Sequence, residues 1–139
     1  MENMVNNTLK NIKIYERSKI IDERGWFLKV IDGSEYNING EVGEFYFTCA
    51  KPNQCKGGHY HKIANEWFSL IVGKAVLKLQ DVQTGETLEI ALDASKPVTV
   101  YVPSYVAHVF VNKHDEDFIL CAYSDYRYDQ SDTIIYKIE

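Results

Sequence analysis

An all-β barrel is the fold class this sequence predicts, and three observations predict it. Short apolar runs recur between Gly, Asn and Asp turn signals along the whole chain, the pattern of a sandwich or barrel. Ten tyrosines and six phenylalanines suit a pleated, half-buried surface. No window carries convincing helical amphipathicity. With this many short strands, closure is the economical way to hide sheet edges.

The pattern predicts strands at Ile12–Tyr15, Trp26–Ile31, Gly43–Ala50, Gly58–His61, Glu66–Val72, Ala75–Asp81, Thr87–Leu92, Val98–Val102, His108–Asn112 and Phe118–Ser124. Turns are expected at Asp32–Gly33, Asn39–Gly40, Gly57–Gly58 and Thr84–Gly85, because Gly and Asn tolerate positive φ. Period-2 alternation puts Glu66, Phe68, Leu70 and Val72 on one face, and Ala75, Leu77 and Leu79 on an apolar face after Gly73. Val106, His108, Phe110 and Asn112 likewise share a face. Glu66 and His108 therefore stand among apolar neighbours, where a polar group must be paired, metal-bound or functional.

A chain of 139 residues suits one compact domain. Residues 1–10 are polar and expected to be a flexible segment, with residues 11–139 forming the domain. The formal net charge of −5, without any Lys or Arg run, argues against nucleic acid as partner. Cys49, Cys55 and Cys121 are odd in number and irregularly spaced, which is no disulfide framework. Cys49 and Cys121, in apolar runs, read as buried thiols. No stretch approaches the ~20 apolar residues of a membrane helix, and MENMVNNTLKNIKIYERSK has no signal-peptide core. A cytoplasmic protein is expected.

The chemistry concentrates in two stretches. In KGGHYHKIANEWFSLIVGKA, His59 and His61 are two apart, so on a strand both imidazoles project to one side. The intervening residues to Glu66 are enough for a turn that returns the carboxylate to the same interior. VPSYVAHVFVN supplies His108 from a distant strand. Imidazole nitrogens with a carboxylate oxygen suit Zn²⁺, Fe²⁺, Mn²⁺ or Ni²⁺, so spacing does not choose the metal.

This spacing resembles the cupin superfamily. His59, His61, Glu66 and Gly73 match its first motif, H-x-H-x4-E-x6-G, and Pro103, His108 and Asn112 match its second. Tyr105 stands where the second motif usually has glycine, and Asn53 stands where a glycine is expected before the first histidine. The resemblance implies a single-domain cupin (double-stranded β-helix, jelly-roll) barrel. More narrowly, IDERGWFLKV resembles dTDP-4-dehydrorhamnose 3,5-epimerases. The histidine stretch is similar to cupin domains of capsular-polysaccharide epimerases and to sugar 3,4-ketoisomerases, and SDYRYDQSDTII is similar to the ketoisomerase ending.

The resemblance implies epimerisation or isomerisation of a nucleotide-linked 4-keto-6-deoxy sugar in surface-polysaccharide biosynthesis. A proton next to a ketone is removed by a positioned base while the enolate oxygen is stabilised. His59 matches the epimerase base and His61 an acid/base histidine of ketoisomerases. His59, His61, Glu66 and His108 together match the metal ligands of the capsular-type domain, with zinc the first choice. No organic cofactor is implied. A histidine that ligates metal is not free to act as base, so with metal bound the base comes from elsewhere, a tyrosine or water.

The departures shape the expectation. Lys56 replaces the usual Arg before Gly-x-His, and the epimerase tyrosine falls at Cys121, leaving Tyr123 as candidate acid. One-face chemistry is then easier to support than double inversion. Glu66, where ketoisomerases carry Gln, favours the metal-binding relatives. Arg24, Lys56 and Trp67 are candidates for contact with the nucleotide diphosphate sugar, a role that suits a guanidinium. A homodimer is expected from family analogy and from edge strands in need of cover. Two rival readings are a metal-dependent cupin enzyme acting on another small substrate and a non-catalytic sugar-binding cupin.

Overall fold

The computed structural model describes residues 8–23, 25–31 and 43–138. Two five-stranded antiparallel sheets enclose one core. The first runs β1 (Lys13–Glu16), β9 (Val98–Val102), β6 (Glu66–Val72), β11 (Phe118–Ser124) and β4 (Glu44–Ala50). The second runs β12 (Thr133–Ile135), β5 (Cys55–His61), β10 (Val106–Val111), β7 (Lys74–Asp81) and β8 (Thr87–Asp93). A separate hairpin pairs β2 (Lys19–Asp22) with β3 (Gly25–Leu28). This is the cupin barrel. Among the described residues no helix is long and apolar enough to cross a membrane.

Alternation decides which side chains fill the barrel. Phe68 and Leu70 of β6, Leu77 and Leu79 of β7, Phe110 of β10 and Leu120 of β11 meet in the central cluster. Burying each such side chain contributes roughly 1.5–3 kcal/mol. The opposite parity faces outward, yet the first sheet is covered there too. Trp67, Tyr101 and Tyr123 form a second buried cluster against Tyr15 and Ile31. Arg17 Nε donates to Thr99 Oγ1 at 2.9 Å, tying the chain after β1 to this outer layer.

Several motif positions turn out to be architectural. Gly73 has φ 89°, and a Cβ there would stand 2.7 Å from the Asp117 carbonyl oxygen. Asn112 is buried: its Nδ2 donates to the carbonyls of Ala50 and Glu116, and its Oδ1 accepts from the His114 amide. Asn53 (φ 68°) and Tyr105 (φ 67°) both hold left-handed backbone. The two sites where glycine was expected thus keep the glycine conformation without the glycine.

Three expectations are corrected. Gly57–Gly58 is no turn but lies inside β5, where both residues have positive φ and the pairing with β10 shifts register. Cys49 is exposed rather than buried, because β4 is an edge strand; its thiol donates to Asp117 at 3.6 Å. Cys121 is buried as expected. Strands β2 and β12, 4 and 3 residues long, were not anticipated. Residues 1–7 lie outside the described residues, as do the expected turns at Asp32–Gly33 and Asn39–Gly40. Within the polar leading segment, Leu9 of the 3-10 turn Thr8–Asn11 packs against the core.

Candidate functional site

His59 and His61 lie two apart on β5, and His59 is the cross-strand partner of His108 on β10. The rings of His61 and His108 stand 5.0 Å from that of His59 and 5.9 Å from each other. One ligand atom from each of the three histidines lies within 4.8 Å of the others. Glu66 enters from the facing sheet at the start of β6 and is 5% exposed. Its Oε1 stands 3.2 Å from His61 Nε2 and 3.3 Å from His108 Nε2.

The far nitrogens fix what those near nitrogens are. His108 Nδ1 donates to the Val106 carbonyl and His61 Nδ1 to the Asp132 carbonyl, both at 3.1 Å. A carbonyl oxygen only accepts, so in each neutral ring Nε2 carries a lone pair. Two lone pairs therefore converge on an anionic oxygen. Distance alone would allow a hydrogen bond from His61, but the geometry does not: His61 Nε2 and Glu66 Oε1 are buried without a partner. Only a cation, a proton or a metal ion, reconciles three such atoms. Imidazoles anchored through the second nitrogen are also the arrangement that orients metal-ligating histidines. The donor set fits a divalent ion.

The electrostatics agree. Burial, then His108 and His61, pushes the His59 pKa down to about 4 against the opposing pull of Glu66. Burial also pulls His61 down, but Glu66 and then Asp132 outweigh it, so its pKa stands above the usual imidazole value. Burial alone would raise Glu66; the nearby His108 and His61 overcome it and hold the carboxyl well below the usual range.

Two acidic residues set the turn that delivers Glu66. The buried Asp132 carboxylate accepts from the amides of Lys62, Ile63 and Ala64 at 2.9, 2.8 and 3.1 Å. Asp125 accepts from the Asn65 amide and side chain at 2.9 and 3.0 Å. Sequence reasoning missed Asp132. Its signal was one of three acids, Asp125, Asp129 and Asp132, in the polar stretch after the last long strand.

A cavity of about 270 Å³ opens onto the cluster. Register explains its wall. Glu44, Ser124 and Glu66 form one row across β4, β11 and β6, and Tyr46, Ala122 and Phe68 form the next. The small Ser124 and Ala122 leave space between Glu44 and Tyr46 on one side and the cluster on the other. Partial burial, then the charges of Glu66 and Glu44, raises the Tyr46 pKa above the ordinary phenol value. Tyr126, Arg127 and Tyr128 also line it. Glu44, Tyr46 and Arg127 were not singled out as site residues from the sequence.

The structure brings His59, His61, Glu66 and His108 together. Of the other expected residues, the described ones do not line the cavity. Tyr123 and Trp67 have the wrong strand parity and pack on each other outside the barrel, 5.4 Å between ring centroids. Lys56 is exposed and does not line the cavity. Arg24 lies outside the described residues. His114 is a surface residue.

The model of the polysaccharide biosynthesis C-terminal domain matches residues 20–136. A UDP-2-acetamido-2,6-beta-L-arabino-hexul-4-ose reductase of Pseudomonas aeruginosa is 27% identical over 83% of this chain, which spans 29% of that protein's length. The capsular polysaccharide assembling protein CapF of Staphylococcus aureus superposes with a TM-score of 0.67 at 25% identity, over 89% of this chain and 33% of CapF. A dTDP sugar isomerase of Desulfovibrio desulfuricans superposes with a TM-score of 0.84 at 18% identity, over 94% of this chain and 86% of that one.

Proposed function

The chain belongs to the polysaccharide biosynthesis C-terminal domain family, and on that premise we propose that it epimerises or isomerises a nucleotide-linked 4-keto-6-deoxy sugar for surface-polysaccharide biosynthesis. The observation that carries this reading is the convergence of His61 Nε2, His108 Nε2 and Glu66 Oε1 beside a cavity that His59, His61 and Glu66 line. His59, His61, Glu66 and His108 would hold a divalent ion, zinc first. Such an ion supplies Lewis-acid stabilisation of an enolate oxygen. Burial, then His108 and His61, lowers the His59 pKa to about 4, which makes the imidazole a weak base while leaving it the neutral form a ligand requires, and this favours its ligand role over its role as base.

At about 270 Å³ the cavity is at the small end of ligand sites. It suits a sugar ring inside with the nucleotide diphosphate at the mouth. Arg127 offers a fork for phosphate oxygens, and Tyr126 and Tyr128 offer flat apolar faces. In this reading the protein is cytoplasmic, acts through residues 11–139 as one domain and needs no organic cofactor. It works as a homodimer, which the exposed Phe45 and Phe47 on edge strand β4 support.

The experiment is incubation of metal-loaded protein with dTDP- and UDP-linked 4-keto-6-deoxy sugars in D₂O, followed by NMR. Deuterium at the carbon beside the ketone, with signals of a rearranged sugar, is the expected result. Binding of every candidate without exchange would replace this reading with that of a sugar-binding cupin. One tightly bound iron per chain with oxygen consumption would replace it with a different metal-dependent cupin enzyme.

A further inference from the structure

His61 and His108 stand against Glu66 and His59 is assigned to the metal above, while the facing wall carries a carboxylate and a phenol. We propose that Glu44 is the base that removes the proton beside the ketone and that Tyr46 returns one to the substrate. This rests on the function proposed above and names the residues that perform its chemistry.

Glu44 and Tyr46 are two apart on β4, so both project to the same side. That side is the interior: their cross-strand partners Ser124 and Ala122 stand in turn opposite Glu66 and Phe68. Both residues line the same cavity as His59 and His61. The other tyrosines on this cavity, Tyr126 and Tyr128, lie in the segment after β11 rather than on a strand, and Tyr128 is 64% exposed. Tyr123 faces away from the cavity into the outer cluster.

The step balances without another reactant. The Glu44 carboxylate takes the C–H proton, and the bond's electron pair forms the C=C bond as the carbonyl becomes an enolate. The hydroxyl on the carbon that lost its hydrogen passes its proton to the former ketone oxygen, and the Tyr46 hydroxyl gives its proton to the former ketone carbon, so that the neighbouring carbon becomes the carbonyl and Tyr46 a phenolate. Protonated Glu44, two residues away on the same face, returns its proton to that phenolate, directly or through one water. Removal and return come from one wall, so the geometry points to a shift of the ketone along one face of the ring rather than inversion of a centre.

Glu44→Gln and Tyr46→Phe distinguish the two roles. Glu44→Gln is expected to lose solvent deuterium exchange by at least about a hundredfold. Tyr46→Phe is expected to keep exchange within about threefold while product formation falls at least about thirtyfold. Both variants should retain wild-type metal content, thermal midpoint and affinity for the free nucleotide diphosphate. Exchange by Glu44→Gln within threefold of wild type would overturn the base assignment. Loss of exchange in His59→Asn that still holds its metal would do the same, returning the base role to the imidazole. Wild type that exchanges no 4-keto nucleotide sugar at all would instead sink the function itself, a separate result.

Discussion

His61 Nδ1 donates to the main-chain carbonyl of Asp132 at 3.1 Å, while the carboxylate of that same Asp132 gathers the amides of Lys62, Ile63 and Ala64. One residue thus aims the imidazole and shapes the turn that leads to Glu66. Asp132→Ala leaves those amides, one of them fully buried, without their acceptor. A lost charge-assisted bond to a buried group costs about 1.5–3 kcal/mol, and the amides share one acceptor, so about 3 kcal/mol in total is expected from urea unfolding. Asp132→Asn keeps one acceptor oxygen and should cost less than half as much. Because the turn also sets Glu66, Asp132→Ala should weaken metal binding by roughly 10–100-fold. A variant with wild-type stability would show that the turn holds its shape without the carboxylate.

The acid side of the stability profile follows from His59. Its folded pKa, about 4, lies below the unfolded value near 6.5, so the unfolded chain binds the proton first. Stability is complete above pH 6.5 and is lost as pH falls toward 4. His61 is shifted the other way; its contribution is complete below pH 6.5 and declines only as pH rises through its raised value. Between pH 6.5 and 4 the contribution of His59 therefore changes while that of His61 stays complete. Metal-free protein should show a thermal midpoint that falls across that window, and His59→Gln should flatten the fall. An unchanged slope in that variant would assign the acid sensitivity to other groups.

The separation between what the sequence discloses and what it conceals is physical. Strand parity locates interior side chains wherever a strand has two well-packed faces, so Glu66, Phe68 and Leu70 were placed correctly. The histidine spacing places two imidazoles on one face whatever the barrel's details. Parity fails to say which face is the inside when both are buried, and this displaced Tyr123 and Trp67 to the outer cluster. Asp132 was hidden because its partners are amides about 70 residues away in the chain. Glu44 and Tyr46 were hidden in an aromatic edge strand whose pairing with β11, not its composition, turns them inward.

The two left-handed residues offer a test of that backbone logic. Asn53 replaces an expected glycine and keeps φ 68°, a conformation Asn tolerates better than most residues. Asn53→Gly should leave the unfolding free energy within about 0.5 kcal/mol, whereas Asn53→Ala should lower it by about 1 kcal/mol. Equal stability of the two variants would mean that the backbone at this position relaxes out of the left-handed region.

Gly57 makes a stronger demand. Its φ is +101°, and a Cβ there would stand 2.7 Å from the His108 carbonyl oxygen. The obstacle is backbone, so no side-chain rotation relieves it. Gly57→Ala should therefore cost about 2 kcal/mol or more and move β5 against β10 at the bulge that sets His59 beside His108. Gly58 also has positive φ but open space around it, so Gly58→Ala carries the conformational cost alone, about 1 kcal/mol. The comparison separates strain from displacement: only Gly57→Ala should weaken metal binding as well as stability, measured by titration of the divalent ion. Equal metal affinity in both variants would show that the histidines do not depend on the close approach at Gly57.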